Sequence, residues 1–289
     1  MTIPMIPGLA ALAADYDGYI LDVWGVMHQG GPAYPEAIAC VRRLREAGKK
    51  VVFLSNAPRL AHQVESVLNG KGVDGTLYDA VVASGDATRQ ALADRSHPVA
   101  DGLGTRYHLL GPPWSDDVID GLGYVPAADI AEAEFLLGIG LDDGCNTVEA
   151  HEPILQAAAA RDLPMICVNP DLVVIRLGVQ EPCAGALAAR YKELSGRVRY
   201  FGKPYSDVYD LTLDKLGLPP SRVLAVGDGL ATDIAGANAA GLDSLLITGG
   251  LLADALDLAP GEAPSARALE EACRAAGVRP SKALSTFVW

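Results

Sequence analysis

No apolar run in this chain approaches the ~18 residues that a membrane-crossing helix needs. Positive charge is scarce as well: 23 Lys and Arg stand against 36 Asp and Glu in 289 residues, a formal net charge of −13. That deficit excludes a nucleic acid or an anionic membrane as partner, because phosphate backbones and lipid headgroups repel such a surface. A phosphate-bearing ligand must then be small and met by a local patch of positive charge. Cysteine is sparse, at 40, 145, 167, 183 and 273, with no CxxC and no even-numbered framework. The thiols therefore read as buried or free in a reducing compartment. The opening residues MTIPMIPGLAALAADYDGY lack a basic leader and a long apolar stretch, so the cytoplasm is the expected location. There is no GxSxG, and the histidines at 28, 62, 97, 108 and 151 include no pair at zinc-ligand spacing.

Half of the residues are hydrophobic, enough to bury a substantial core. Gly (31) and Pro (19) are abundant, and so many turns suit alternating strands and helices better than a helical bundle. Short apolar runs do alternate with helical patterns, which predicts βαβ units and a parallel sheet. Four of the runs end in a polar residue: Gly18–Asp22, Val51–Ser55, Val198–Lys203 and Val223–Asp228. A helix is predicted from Pro35 onward with Ile38, Val41 and Leu44 on one face and Gly48 as its stop. Others are predicted along Leu60–Leu68, after Pro204, and around Thr232–Ala240. The middle of the chain has its own strand candidates at Glu134–Gly138 and Pro164–Val168 and an Ala-rich helix at Ile154–Ala160. The expected architecture is an α/β, Rossmann-like doubly wound parallel core made of residues 1–82 and 184–289. An α/β cap of residues 83–183 would be inserted into it.

In open parallel sheets ligands bind beyond the carboxyl ends of the strands, near the switch in strand order. Asp22, Ser55, Lys203 and Asp228 each end one of the four runs, so this fold would bring two carboxylates, a hydroxyl and an ammonium to one rim.

With these residues in that order, the chain resembles the haloacid dehalogenase-like superfamily, and within it class IIA, the NagD-like and 4-nitrophenylphosphatase-like hydrolases. The resemblance rests on LDVWGVMHQGG at 21–31, FLSNAP at 53–58, GKP at 202–204 and GDGLATD at 227–233, and it spans nearly the whole chain. It implies that Asp22 is the nucleophile that becomes an aspartyl phosphate. Mg²⁺ would be held by Asp22, Asp228 and the backbone carbonyl of Trp24, with Asp233 outside them. Ser55 and the N–H of Asn56 would hold phosphoryl oxygens, and Lys203 would neutralise developing charge. NPD at 169–171 and CAGAL at 183–187 would mark the end of the cap; Asn169 and Asp171 either shape the turn at Pro170 or touch substrate. The resemblance also suggests a homodimer formed through the caps.

One position departs from the family pattern. Relatives carry a second aspartate two residues after the nucleophile, as general acid and base; here that residue is Trp24. A positioned acid–base group is typically worth ~10²–10⁴ in rate. Its loss points to leaving groups that depart without a proton, such as aryl or acyl phosphates, or to a substitute, for which His28 is the nearby titratable candidate. Two rival motifs fail on context. Cys273 to Arg279 fits C-x₅-R but lies in the helical pattern 266–276, and the glycines at 138, 140 and 144 are spaced GxGxxxG rather than as a dinucleotide loop. The expected activity is Mg²⁺-dependent hydrolysis of a small phosphomonoester, a sugar phosphate or similar metabolite. The alternative is a weakly catalytic phosphometabolite-binding or regulatory protein, which Trp24 would account for.

Overall fold

The computed structural model describes residues 2–94, 97–113, 115–259 and 261–289. Along the chain the strands are β1 (Gly18–Asp22), β2 (Lys50–Ser55), β3 (Ala80–Ala83), β4 (Arg106–Leu110), β5 (Val125–Pro126), β6 (Phe135–Gly138), β7 (Pro164–Cys167), β8 (Val173–Arg176), β9 (Val179–Pro182), β10 (Arg197–Tyr200), β11 (Val223–Gly227), β12 (Asp243–Ile247) and β13 (Lys282–Leu284). The helices are α1 (Pro35–Glu46), α2 (Ala61–Gly70), α3 (Ser84–Ala93), α4 (Glu152–Ala160), α5 (Ala184–Glu193), α6 (Ser206–Leu216), α7 (Ala235–Ala239), α8 (Leu251–Ala255) and α9 (Ala266–Ala275).

Six strands form one parallel sheet in the order β13-β12-β11-β1-β2-β3. The order reverses between β1 and β11, so the crevice beyond their carboxyl ends is where a ligand is expected. Because side chains alternate across a strand, this sheet feeds two cores. Tyr19, Leu21, Val51, Phe53, Leu224 and Val226 pack with Cys40, Val41 and Leu44 of α1 and Val64 and Leu68 of α2. On the opposite face Ile20, Val52, Leu54, Val223 and Ala225 pack with Ala87 and Ala91 of α3, Val208 and Leu216 of α6 and Ala237 of α7. Pro at the first position of α1 has no N–H to lose there, and Ala37, Cys40, Val41 and Leu44 recur at the helical period that buries one face. The doubly wound core read from the sequence is thus present.

A second parallel sheet has the order β10-β7-β6-β4-β5, and β8 and β9 form a separate antiparallel hairpin. Tyr107, Phe135, Leu137 and Ile166 of the second sheet share one hydrophobic cluster with the first, so the two pack through a continuous apolar core. Two expectations change here. The run Val198–Lys203 is strand only over Arg197–Tyr200, and this strand pairs with β7 at the edge of the second sheet rather than joining the first. The helix α5 packs its Leu187, Ala188 and Tyr191 with Leu155 and Ala158 of α4 and Met165 of β7. Val198 and Tyr200 of β10 pack against the apolar cluster built by α4, α5 and β7, which draws the strand to the second sheet. The helix predicted around Thr232–Ala240 begins with a π turn over Leu230–Ile234 and is α-helical only over Ala235–Ala239. No helix among the described residues is long and apolar enough to cross a membrane.

Candidate active site

Asp22 is the last residue of β1, and Asp228 follows β11 directly, so the neighbouring parallel pair delivers both carboxylates to one rim. Asp233 comes back to that rim on the π turn, a device common where a helix must re-aim a functional side chain. One carboxylate oxygen from each of Asp22, Asp228 and Asp233 lies within 4.8 Å of the others. Lys203, on the loop after β10, places Nζ 2.5 Å from Asp22 Oδ1 and 2.7 Å from Asp233 Oδ1, and also donates to the Leu54 carbonyl at 3.3 Å. Asp22 is only 5% exposed and Lys203 3%. The backbone must come close to allow this. Gly25 has φ +88, and a Cβ there would stand 2.2 Å from an Asp228 oxygen.

Supports hold each group in place. The N–H of Leu251 donates to Asp228 Oδ2 (3.0 Å) and that of Gly229 to Asp233 Oδ2 (3.1 Å). Tyr209 on α6 donates its hydroxyl to the Asp233 carbonyl at 3.0 Å, pinning the π turn. Asn56 accepts the Lys203 N–H on Oδ1 (2.7 Å) and donates from Nδ2 to the Lys203 carbonyl (3.2 Å) and to Asp171 Oδ1 (2.8 Å). Asn169 accepts the Asp171 N–H across the turn at Pro170, and both residues also line the cavity, where Asp171 bonds Asn56. Ser55 Oγ accepts from Ala57 N at 3.1 Å on the loop before α2. Tyr209, Leu251 and the Asn56–Asp171 bond were not foreseen, because nothing in the local sequence marks them.

Burial, set against one ammonium, governs the electrostatics. Three buried carboxylates and Lys203 leave a net charge of −2. Burial pushes Asp22 well above the usual carboxylate range despite Lys203, and the charges of Asp233 and Asp228 add to the rise. Burial and then Asp233 push Asp228 up to about 7. Burial alone would lower Lys203, but Asp22 and Asp233 outweigh it and hold the ammonium well above its usual value. Such a set, hard oxygen donors with excess negative charge out of water, fits a divalent cation of the Mg²⁺ type. Without metal, the folded protein between roughly pH 4 and 7 keeps a proton on Asp228 that the unfolded chain has released. Its stability is therefore expected to fall as pH rises through that window and to level off above it, and Asp228→Asn is expected to flatten the slope. Thermal unfolding in chelator at several pH values checks this; an equal slope in the variant would contradict it.

His28 lines the same cavity but is 2% exposed, with Nδ1 accepting the Gly30 N–H at 3.1 Å. Burial, with Lys71 and Arg176 nearby, lowers it to about 4. A ring held that low is neutral near pH 7. The rate profile between about pH 5.5 and 8 should carry no His28 inflection. The profile of His28→Gln measured beside wild type checks this, and a lost inflection would refute it. Trp24 lines the same cavity, and its indole donates Nε1–H to the Ile175 carbonyl at 3.0 Å. The rival C-x₅-R reading falls, since Cys273 is buried within α9.

The acids and Lys203 open onto a cavity of about 950 Å³ walled by the rim, by α2 and by the β8–β9 hairpin. A haloacid dehalogenase-like hydrolase sequence model matches residues 19–125, and a HAD-hydrolase-like model matches 200–272. The 5'-nucleotidase YutF of Bacillus subtilis is 26% identical over 82% of this chain and 88% of its own length. A haloacid dehalogenase-like family hydrolase from Brucella suis superposes with a TM-score of 0.84 at 33% identity, covering 98% of this chain and all of that one. The p-nitrophenyl phosphatase from Archaeoglobus fulgidus superposes at 0.68 with 25% identity over 94% and 97% of the two chains. With its four motifs gathered on one rim and these likenesses running from end to end, the chain belongs to the haloacid dehalogenase-like hydrolase family, in its NagD-like class IIA.

Proposed function

We propose that this phosphatase hydrolyses a small phosphomonoester, a sugar phosphate or similar metabolite, by way of an aspartyl phosphate on Asp22. The observation that carries the reading is the placement of the Lys203 ammonium between Asp22 and Asp233 at the floor of a cavity large enough for such a metabolite. The names of the relatives, a 5'-nucleotidase and a p-nitrophenyl phosphatase, support the substrate class.

In this reading Asp22 attacks phosphorus and the ester oxygen leaves with its electron pair. Lys203 neutralises charge on the transferring group, and Ser55 with the Asn56 N–H orients its oxygens. Asn56 does so while bonded at both ends of its amide, so it is preorganised. Asp22, Asp228 and the Trp24 carbonyl would hold Mg²⁺, with Asp233 outside them, and the cation supplies the positive charge that lets a carboxylate approach a phosphate dianion. The leaving oxygen faces no titratable side chain at position 24, which favours aryl and acyl phosphates. We take the inserted unit to run on to Tyr200, since α5 and β10 pack with the second sheet, and the five free thiols to reflect work in the cytoplasm.

Purified protein incubated with a panel of phosphate esters, with Mg²⁺ and then with excess chelator, tests the reading. Release that needs Mg²⁺ and is faster from acetyl and 4-nitrophenyl phosphate than from alkyl phosphates is the expected result. Absence of release from every ester, with phosphometabolites still raising Tm, would instead identify a binding protein.

A further inference from the structure

The β8–β9 hairpin joins neither sheet; its strands pair only with each other. A lone two-stranded hairpin is marginal in water. Apolar burial secures only part of it: Ile175 is buried, but Leu177 and Val179 are among the most exposed large apolar side chains described. Yet Val173, Val174, Ile175, Arg176, Val179 and Gln180 wall the cavity that contains Asp22. Something must keep that wall in place.

The contacts that do so converge on the loop after the nucleophile. Trp24 Nε1–H donates to the Ile175 carbonyl at 3.0 Å, and the Arg176 guanidinium lies 4.8 Å from the centre of the indole ring. His28 meets the same indole edge-on, with ring centres 5.1 Å apart and planes at 69°, which fixes its orientation. The N–H of Leu177 donates to the Gln29 carbonyl at 3.0 Å. At the hairpin's other strand, Gln180 Nε2 donates to Asp254 Oδ2 at 2.5 Å. A cation held over an aromatic face and a hydrogen bond from the indole are the two interactions that a carboxylate at this position could not make together.

Resting on the phosphatase reading, we propose that Trp24 is a positioning residue that clasps the β8–β9 hairpin over Asp22. The hairpin, so held, decides which leaving groups fit and keeps the ester in line with the nucleophile. Trp24 takes no part in bond making; it acts through Ile175 and Arg176.

The test measures hydrogen–deuterium exchange over residues 173–182 and steady-state kinetics with Mg²⁺ on wild type, Trp24→Ala, Trp24→Phe, Arg176→Ala and the double variant Trp24→Ala/Arg176→Ala. In Trp24→Ala, exchange over 173–182 should quicken by about tenfold while α6 keeps its protection. KM for 4-nitrophenyl phosphate should rise about tenfold, more than kcat falls, with a smaller change for acetyl phosphate, whose leaving group scarcely reaches the hairpin. Trp24→Phe, which keeps the ring, should recover part of both effects, and the double variant should be little worse than Trp24→Ala. Unchanged exchange over 173–182, a loss confined to kcat, or strict additivity of the two single variants would overturn the clasp. If wild type releases phosphate from neither ester, the phosphatase reading fails by itself, and the exchange experiment still decides the clasp.

Discussion

Asp22→Asn is expected to lower phosphate release by about four orders of magnitude or more, because the amide is no nucleophile and no other carboxylate is placed to replace it. Asp228 is engaged by the Leu251 N–H, and Asp233 is held by the Gly229 N–H and by Lys203, so neither is free to swing into the nucleophile's place. The same substitution should not unfold the protein. Asn keeps an oxygen facing Lys203 and removes one of three buried negative charges, so the metal-free variant should melt at or above the wild-type temperature. Mg²⁺ should then stabilise it less than it stabilises wild type. Kinetics and thermal unfolding with and without Mg²⁺ read both effects. A variant keeping more than about a hundredth of the wild-type rate would remove Asp22 as the phosphoryl acceptor.

Lys203→Met has the opposite profile, costing stability as well as rate. The ammonium is the one cation paired to the carboxylate cluster among the described residues, and Met fills a similar volume without charge. Breaking a buried ion pair by removing one partner typically costs ~3–5 kcal/mol. The sign with pH follows from the raised acids. At low pH the variant's carboxylates take up protons and the penalty shrinks; at pH above about 7 they must ionise unpaired and it grows. Denaturant unfolding of the metal-free protein at pH 5 and pH 8 should therefore show the larger loss at pH 8. The rate should fall about 10²–10³-fold with Mg²⁺ present, as for loss of one preorganised charge contact in a site closed to water. An equal loss of stability at both pH values would mean that Lys203 is held there by packing, not by the acids.

The chemistry of the rim was legible because it is local. A polar residue closing a short apolar run is visible without any neighbour, and Asp22, Ser55 and Asp228 sit where such runs end. Lys203 does lie beside Asp22 and Asp233, but it comes from a strand of the other sheet. Its run, Arg197–Tyr200, pairs with Pro164–Cys167 in the other sheet, and the ammonium arrives from there on the Phe201–Lys203 turn. Burial hid the state of His28, since no sequence window shows that its ring is enclosed and set near two cations.

The amino-acid order by itself determined the α/β class, the four motifs and the carboxylate–ammonium chemistry, since each depends on residue type and on spacings of a few residues. Only the tertiary structure decided which sheet owns β10, what the indole of Trp24 bonds to and what walls the cavity around Asp22. These depend on strands choosing partners and on contacts such as Trp24 with Ile175, 151 residues apart, which no local periodicity encodes.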